Sequence, residues 1–199
     1  MKNKKYILSF LYYMLAAFGI SLTIKAAVGV SSFNSMNVAI AEVTKIEVGT
    51  ITTFVNLLFL IACFFIEKNK KFLEYLFMII SLVCFGSVIN LFLYHLLFNV
   101  QIESYYLSII VFIVGTIIAG YGTGRSLYYG ILKFPIEKYC ILLAEKYNKS
   151  FSFYRYGVDI FSILISLFVS IIFIIPMYVR EGTLLSFVLL TFVINKSKN

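Results

Sequence analysis

Charge is scarce in this chain. Of 199 residues only 13% are charged, against 61% hydrophobic. A soluble domain of this length needs a far more polar surface, so water is excluded as the solvent for most of it. Histidine is nearly missing: His95 stands alone, without the His or Cys companions a metal site needs. The three cysteines, Cys63, Cys84 and Cys140, all lie inside apolar runs. Their odd number and lack of ligand spacing leave buried packing as their reading. No Ser-His-Asp, paired-carboxylate or phosphate-loop pattern occurs, so neither an enzyme nor a cofactor is expected. No loop is large enough to hold a soluble domain. Behind Met1-Lys2-Asn3-Lys4-Lys5 and the apolar run from Tyr6 to Ile24 there is no clear small-residue cleavage site. That run is expected to be an uncleaved first span rather than a signal peptide.

What is abundant is apolar length. A span needs ~20 mainly apolar residues to cross ~30 Å of hydrocarbon. Long runs occupy Tyr6 to Ile24, Val48 to Ile66, Phe72 to Phe98, Tyr105 to Tyr121 and Phe151 to Ile175, with a shorter one from Gly182 to Ile194. Two polar, glycine-containing stretches interrupt them. The first is Gly29-Val30-Ser31-Ser32-Phe33-Asn34-Ser35-Met36-Asn37, with a short helix expected from about Ser35 to Thr44. The second is Gly130-Ile131-Leu132-Lys133-Phe134-Pro135-Ile136-Glu137, leading into another that ends near Ala144.

The net charge of +8 does not point to nucleic acid, because the basic residues fall in short clusters between apolar runs rather than on one face. The clusters fix a topology instead. If both polar stretches dip into the membrane and return, Lys2, Lys4, Lys5, Lys68, Lys70, Lys71, Lys146, Lys149, Lys196 and Lys198 share one side, leaving Lys25, Lys45 and Arg180 near the other. The positive-inside rule then gives six spans with both termini cytoplasmic. Each half holds three spans and one re-entrant helix. An odd number of spans inverts the second half relative to the first, the layout of many secondary transporters.

The sequence carries a faint echo of that duplication. A shift of 103 residues superposes Gly19 on Gly122, Ser32 on Pro135, Asn34 on Glu137, Ala41 on Ala144 and Glu42 on Glu145. A shift of 101 superposes Gly29 on Gly130 and Phe33 on Phe134. Between them the register stays open. Gly86-Ser87-Val88-Ile89-Asn90 also resembles Gly182-Thr183-Leu184-Leu185-Ser186. The expected fold is therefore all-α: a polytopic helical membrane protein and a single membrane domain over 1–199. Repeat 1 covers about 6–98 and repeat 2 about 104–195.

Gly19-Ile20-Ser21-Leu22 and Lys25-Ala26-Ala27-Val28-Gly29-Val30-Ser31, followed by Thr44-Lys45-Ile46-Glu47-Val48-Gly49-Thr50 and the Gly182-Thr183-Leu184-Leu185 tail, resemble the YitT/YczE-like family of bacterial membrane proteins. The resemblance covers most of the chain and implies a bacterial cell-membrane location. The family's P-W-D is Ser32-Phe33-Asn34 here, an amide replacing the acid. Its second-half G-P-R-D is only weakly kept, as Phe134-Pro135-Ile136-Glu137.

Candidate binding residues follow from polarity at membrane depth. Ser31, Ser32, Asn34 and Asn37 offer hydroxyls and amides. They line a solute site or merely cap a short helix. Helix starts bind anions through free N–H groups, which suits a small polar or anionic solute. Lys25 faces the dip as a counter-ion or snorkels to the interface. Asp159 lies deep in an apolar run four residues after Arg155, as a coupling carboxylate or half of an ion pair that Arg155 or Arg125 completes. Glu137 is the next carboxylate at risk of burial, with Lys133 placed to neutralise it. Asn56 and Asn90 bridge helices by default, with a cavity role for Asn90 from its place in the Gly86 motif. Gly120-Tyr121-Gly122-Thr123-Gly124-Arg125 lacks the flanking strand of a dinucleotide fingerprint and reads as small residues loosening a helix end. The expected function is a small-solute carrier or permease in the lipid bilayer. The alternative is a non-transporting assembly or sensory partner of another complex.

Overall fold

The computed structural model describes residues 2–130 and 134–198. Every regular element among them is helical. In chain order these are α1 (Lys2–Lys25), α2 (Ser32–Thr44), α3 (Val48–Ile66), α4 (Phe72–Asn90) continued by a π-helical turn (Leu91–Leu96), α5 (Tyr105–Tyr129), α6 (Pro135–Tyr147), α7 (Phe151–Ile172) and α8 (Glu181–Lys198).

Five helices are long and apolar enough to cross a membrane: Lys5–Lys25, Val48–Ile66, Phe72–Leu96, Tyr105–Tyr129 and Phe151–Ile172. The sixth expected run lies in α8, whose ends carry Glu181, Lys196 and Lys198, leaving a shorter apolar stretch than the other five. α2 and α6 have 13 residues each, about 20 Å at 1.5 Å per residue, too short to span.

Helix α7 shows which solvent the fold expects. Its buried residues are Asp159, Ser162, Ser166 and Ser170, while Ile160, Phe161, Leu164, Phe168 and Ile171 are exposed. In water this amphipathicity would be inside out. Against hydrocarbon the apolar face is solvated and the polar face finds partners within the protein. The molecule is consistent with a membrane protein on this ground as well as on helix length.

α1 and α5 form the central pair, and they cross antiparallel at small residues. A Cβ on Gly19 would stand 2.7 Å from the Gly115 carbonyl, and it would also crowd the Ala119 amide. A Cβ on Gly122 would stand 2.6 Å from the Tyr12 carbonyl and 2.7 Å from the Ala16 amide. Only glycine permits backbones so close. This explains why α5 runs straight through Gly120–Arg125 to Tyr129 rather than loosening there. Its glycines seat neighbouring helices: Gly122 lies against α1, and Gly120 and Gly124 against α8.

Around the pair, α4 packs on α1 and α8 on α5. The short helices tie the halves together, α2 packing on α3 and α7, and α6 on α7 and α3. The two halves differ in one respect. α3 and α4 are tightly joined: Gly49 meets Gly86 backbone to backbone, and Thr53 donates to the carbonyls of Gly49 and Leu82 at 2.9 and 3.2 Å. α7 and α8 are not close-packed on each other. The Tyr156 ring stacks on Phe187 across the space between them, centroids 5.5 Å apart.

Element bounds align at one offset. Ser32–Thr44 and Pro135–Tyr147 start and end 103 residues apart, and so do the starts of α3 and α7. Lys45 and Asn148, each just past a short helix, are both left-handed, at φ 59° and 51°. Of the two registers the sequence leaves open, 103 is the one at which these elements coincide.

Candidate functional site

The first polar stretch is irregular only over residues 26–31. Gly29 has φ +110°, open to glycine and strained for other residues. This piece of backbone is satisfied by the segment ahead of α8 and by the first turn of α8. Val30 N donates to Tyr178 O at 3.2 Å and Gly182 N to Val28 O at 2.9 Å. Thr183 Oγ1 donates to Val30 O at 2.7 Å, and an Arg180 guanidinium nitrogen to Ala27 O at 2.9 Å. The second stretch is anchored to the opposite corner. Cys63 Sγ lies 3.6 Å from Pro135 O. The buried ammonium of Lys138 sits 2.8 Å from Glu67, which also accepts from Tyr75 at 2.6 Å.

Both short helices begin at one cavity of about 440 Å³. Ser31, Ser32 and Asn34 enter it from the start of α2, Ile136 and Glu137 from the start of α6, and Thr52, Asn56, Arg155 and Asp159 from α3 and α7. Neither helix start has a side-chain cap. The Ser31 hydroxyl accepts instead from the Asn34 amide at 3.0 Å. The first-turn N–H groups are therefore not occupied by side chains.

The charges are concentrated on the second half. Arg155 lies 3.5 Å from Glu137 and 3.3 Å from Asp159. The pairing of Asp159 with Arg155 is the i,i+4 contact the sequence offered. Arg125 lies elsewhere, among the rings of Tyr12, Tyr128 and Tyr129. Glu137 Oε2 and one Arg155 nitrogen are buried with no hydrogen-bond partner among the described residues. Lys133, the expected neutraliser of Glu137, falls outside the described residues.

Of the eight residues singled out from sequence, the cavity gathers Ser31, Ser32, Asn34, Glu137 and Asp159. Asn37 lies behind it, fully buried, its amide donating to Thr52 at 3.3 Å. Asn90 caps α3 from a neighbouring helix: its Oδ1 accepts from Gly49 N at 2.6 Å and its amide donates to Thr50 at 3.0 Å. Tyr94, on the following π-helical turn, accepts from Val48 N at 3.1 Å. Lys25 donates to Phe98 O at 3.2 Å in an exposed position.

Sequence reading did not assign Thr52, Asn56 and Arg155 to the site. The signal was present in the 103-residue offset, which pairs Asn34 with Glu137, Thr52 with Arg155 and Asn56 with Asp159. All six line the one cavity. No group of three or more His, Cys, Asp or Glu able to hold a metal ion occurs among the described residues.

An apolar multi-helix fold with five span-length helices is consistent with a membrane protein. Residues 3–199 match the family of unknown function DUF6198, and the chain belongs to that family. It is also similar to "Uncharacterized protein YyaS" of Bacillus subtilis (strain 168), 24% identical over 183 residues that cover 90% of this chain and 87% of the relative. No solved structure matches the chain.

Proposed function

We infer that the protein is a small-solute carrier or permease built as an inverted repeat, with its solute site in the cavity between the starts of α2 and α6. One observation carries the reading. Three pairs of polar residues at one sequence offset, Asn34/Glu137, Thr52/Arg155 and Asn56/Asp159, converge on a single cavity. A site at the interface of two repeats, formed by interrupted helices, is the general plan of secondary transporters.

The packing at the centre supports the inverted arrangement. The contacts of Gly19 with Gly115 O and Ala119 N have their counterparts, at the same offset, in those of Gly122 with Tyr12 O and Ala16 N. Because α1 and α5 run antiparallel, the operation that exchanges them reverses direction along the membrane normal. Re-entrant α2 and α6, six spans and cytoplasmic termini complete the reading, with α8 as the sixth span. The motif likeness to the YitT/YczE-like family supports a bacterial cell-membrane location. The chemistry contributed by the cavity is binding rather than bond-making.

The test is uptake into cells or proteoliposomes across a panel of small solutes, comparing wild type with Asn34→Ala and Asp159→Asn. We expect at least one solute whose uptake both variants reduce about tenfold or more, the effect of losing ~1.4 kcal/mol in binding. Equal uptake of every solute by all three proteins would reject the site, and no uptake at all by wild type would favour a non-transporting partner role.

A further inference from the structure

The cavity has an unbalanced charge. Among the described residues that line it, the only ionisable groups of fixed sign are Glu137, Arg155 and Asp159. One guanidinium is shared by two carboxylates at 3.3 and 3.5 Å. With both carboxyls ionised the site holds one negative charge in excess. Glu137 is the less satisfied, since its Oε2 has no hydrogen-bond partner among the described residues. An uncompensated charge in low dielectric is costly, so a bound cation gains strongly there.

The rest of the wall selects the kind of cation. Phe33, Phe112, Phe134, Phe151, Tyr156 and Phe187 all face the cavity. Aromatic faces attract cations and bury apolar groups together. The volume, about 440 Å³, exceeds what one bare metal ion fills, a water claiming only ~30 Å³. An anionic solute would add to the existing excess charge.

Resting on the carrier reading for its location, we propose that this cavity binds a monovalent organic cation: an amine on an apolar body, its ammonium on Glu137 and its body against the aromatic wall.

Three probes share one apolar body and differ in charge: phenethylamine, phenethyl alcohol and phenylacetate. Binding of each to the full-length protein in detergent is measured by equilibrium dialysis. The amine should bind at least tenfold more tightly than the alcohol, and the acid more weakly than either. In Glu137→Gln the amine's advantage over the alcohol should disappear. Should that variant fail to fold, Asn34→Asp adds a carboxylate on the uncharged half and should widen the advantage. A wild type that binds the alcohol or the acid as tightly as the amine, or binds none, overturns the proposal. So does an amine preference that survives in Glu137→Gln or narrows in Asn34→Asp. A lysine at 133 that already neutralised Glu137 would erase the preference, and that result overturns it too. Amine binding without transport would sink the carrier reading and leave this one standing; transport of another solute class with no amine binding would do the reverse.

Discussion

Arg155 is the residue on which the cavity's charges depend. It is the one described cation between the buried Asp159 and the partly buried Glu137. Removing one member of a buried charge cluster leaves the others without compensation, which costs about 3–5 kcal/mol. Arg155→Met should lower the thermal midpoint in detergent, followed by thiol labelling of Cys63 and Cys140, both fully buried in the native fold. Adding Glu137→Gln and Asp159→Asn to the same protein should recover most of the loss. Wild-type stability in the single variant would argue that the carboxyls are neutral in the folded protein. Asn90 stands at the opposite extreme. From sequence it had a claim on the site through its place after Gly86, yet its carbonyl is taken up by Gly49 N at 2.6 Å. What decides between these two polar residues is the neighbouring backbone, which spacing along the chain does not reveal.

At the scale of elements, hydropathy made the long helices legible. Five of the six expected apolar runs are span-length helices, because apolar length is a direct requirement of crossing hydrocarbon. Helix ends were less so. Small residues have two opposite meanings, breaking a helix in water and allowing close approach in a membrane. In Gly120–Arg125 the second meaning won, and α5 continues to Tyr129. The start of α2 was also earlier than polarity suggested, at Ser32, since Ser32 and Asn34 face a cavity rather than a loop. The same glycine logic yields a paired expectation. Gly19→Ala and Gly122→Ala each force a Cβ into backbone across the α1–α5 crossing, and overpacking of this kind costs about 1–3 kcal/mol. If the two glycines are equivalents in a repeat, both substitutions should destabilise by similar amounts in detergent melts. A large loss at one and none at the other would count against that equivalence.

For the whole molecule, the six-span topology rests on where the lysines fall. It expects single cysteines placed at Asn69 and Gln101, in a background without Cys63, Cys84 and Cys140, to react with impermeant thiol reagents from the cytoplasmic and external sides respectively. Reaction of both from one side would reject six spans. Charge counting could address this topology from sequence alone because it depends on loops. The cavity was legible only in part: Asn34, Glu137 and Asp159 stand out by polarity, while Thr52, Asn56 and Arg155 join them through packing between halves that only the common offset of 103 residues records. The carboxylates and the arginine all fall in the second half, the amides and threonine in the first. All the fixed charge among the described lining residues thus comes from the second half, while neutral hydrogen-bonding groups come from both.

The stitching of residues 26–31 has a consequence in time. Their carbonyls and amides are held by Tyr178, Arg180, Gly182 and Thr183, with 153 residues separating Val30 from Thr183. A ribosome making this chain produces residues 26–31 well before residues 178–183. Until residues 178–183 have been made, the Val30 amide and the carbonyls of Ala27, Val28 and Val30 lack these partners. This connection therefore closes only when two segments far apart in the chain meet.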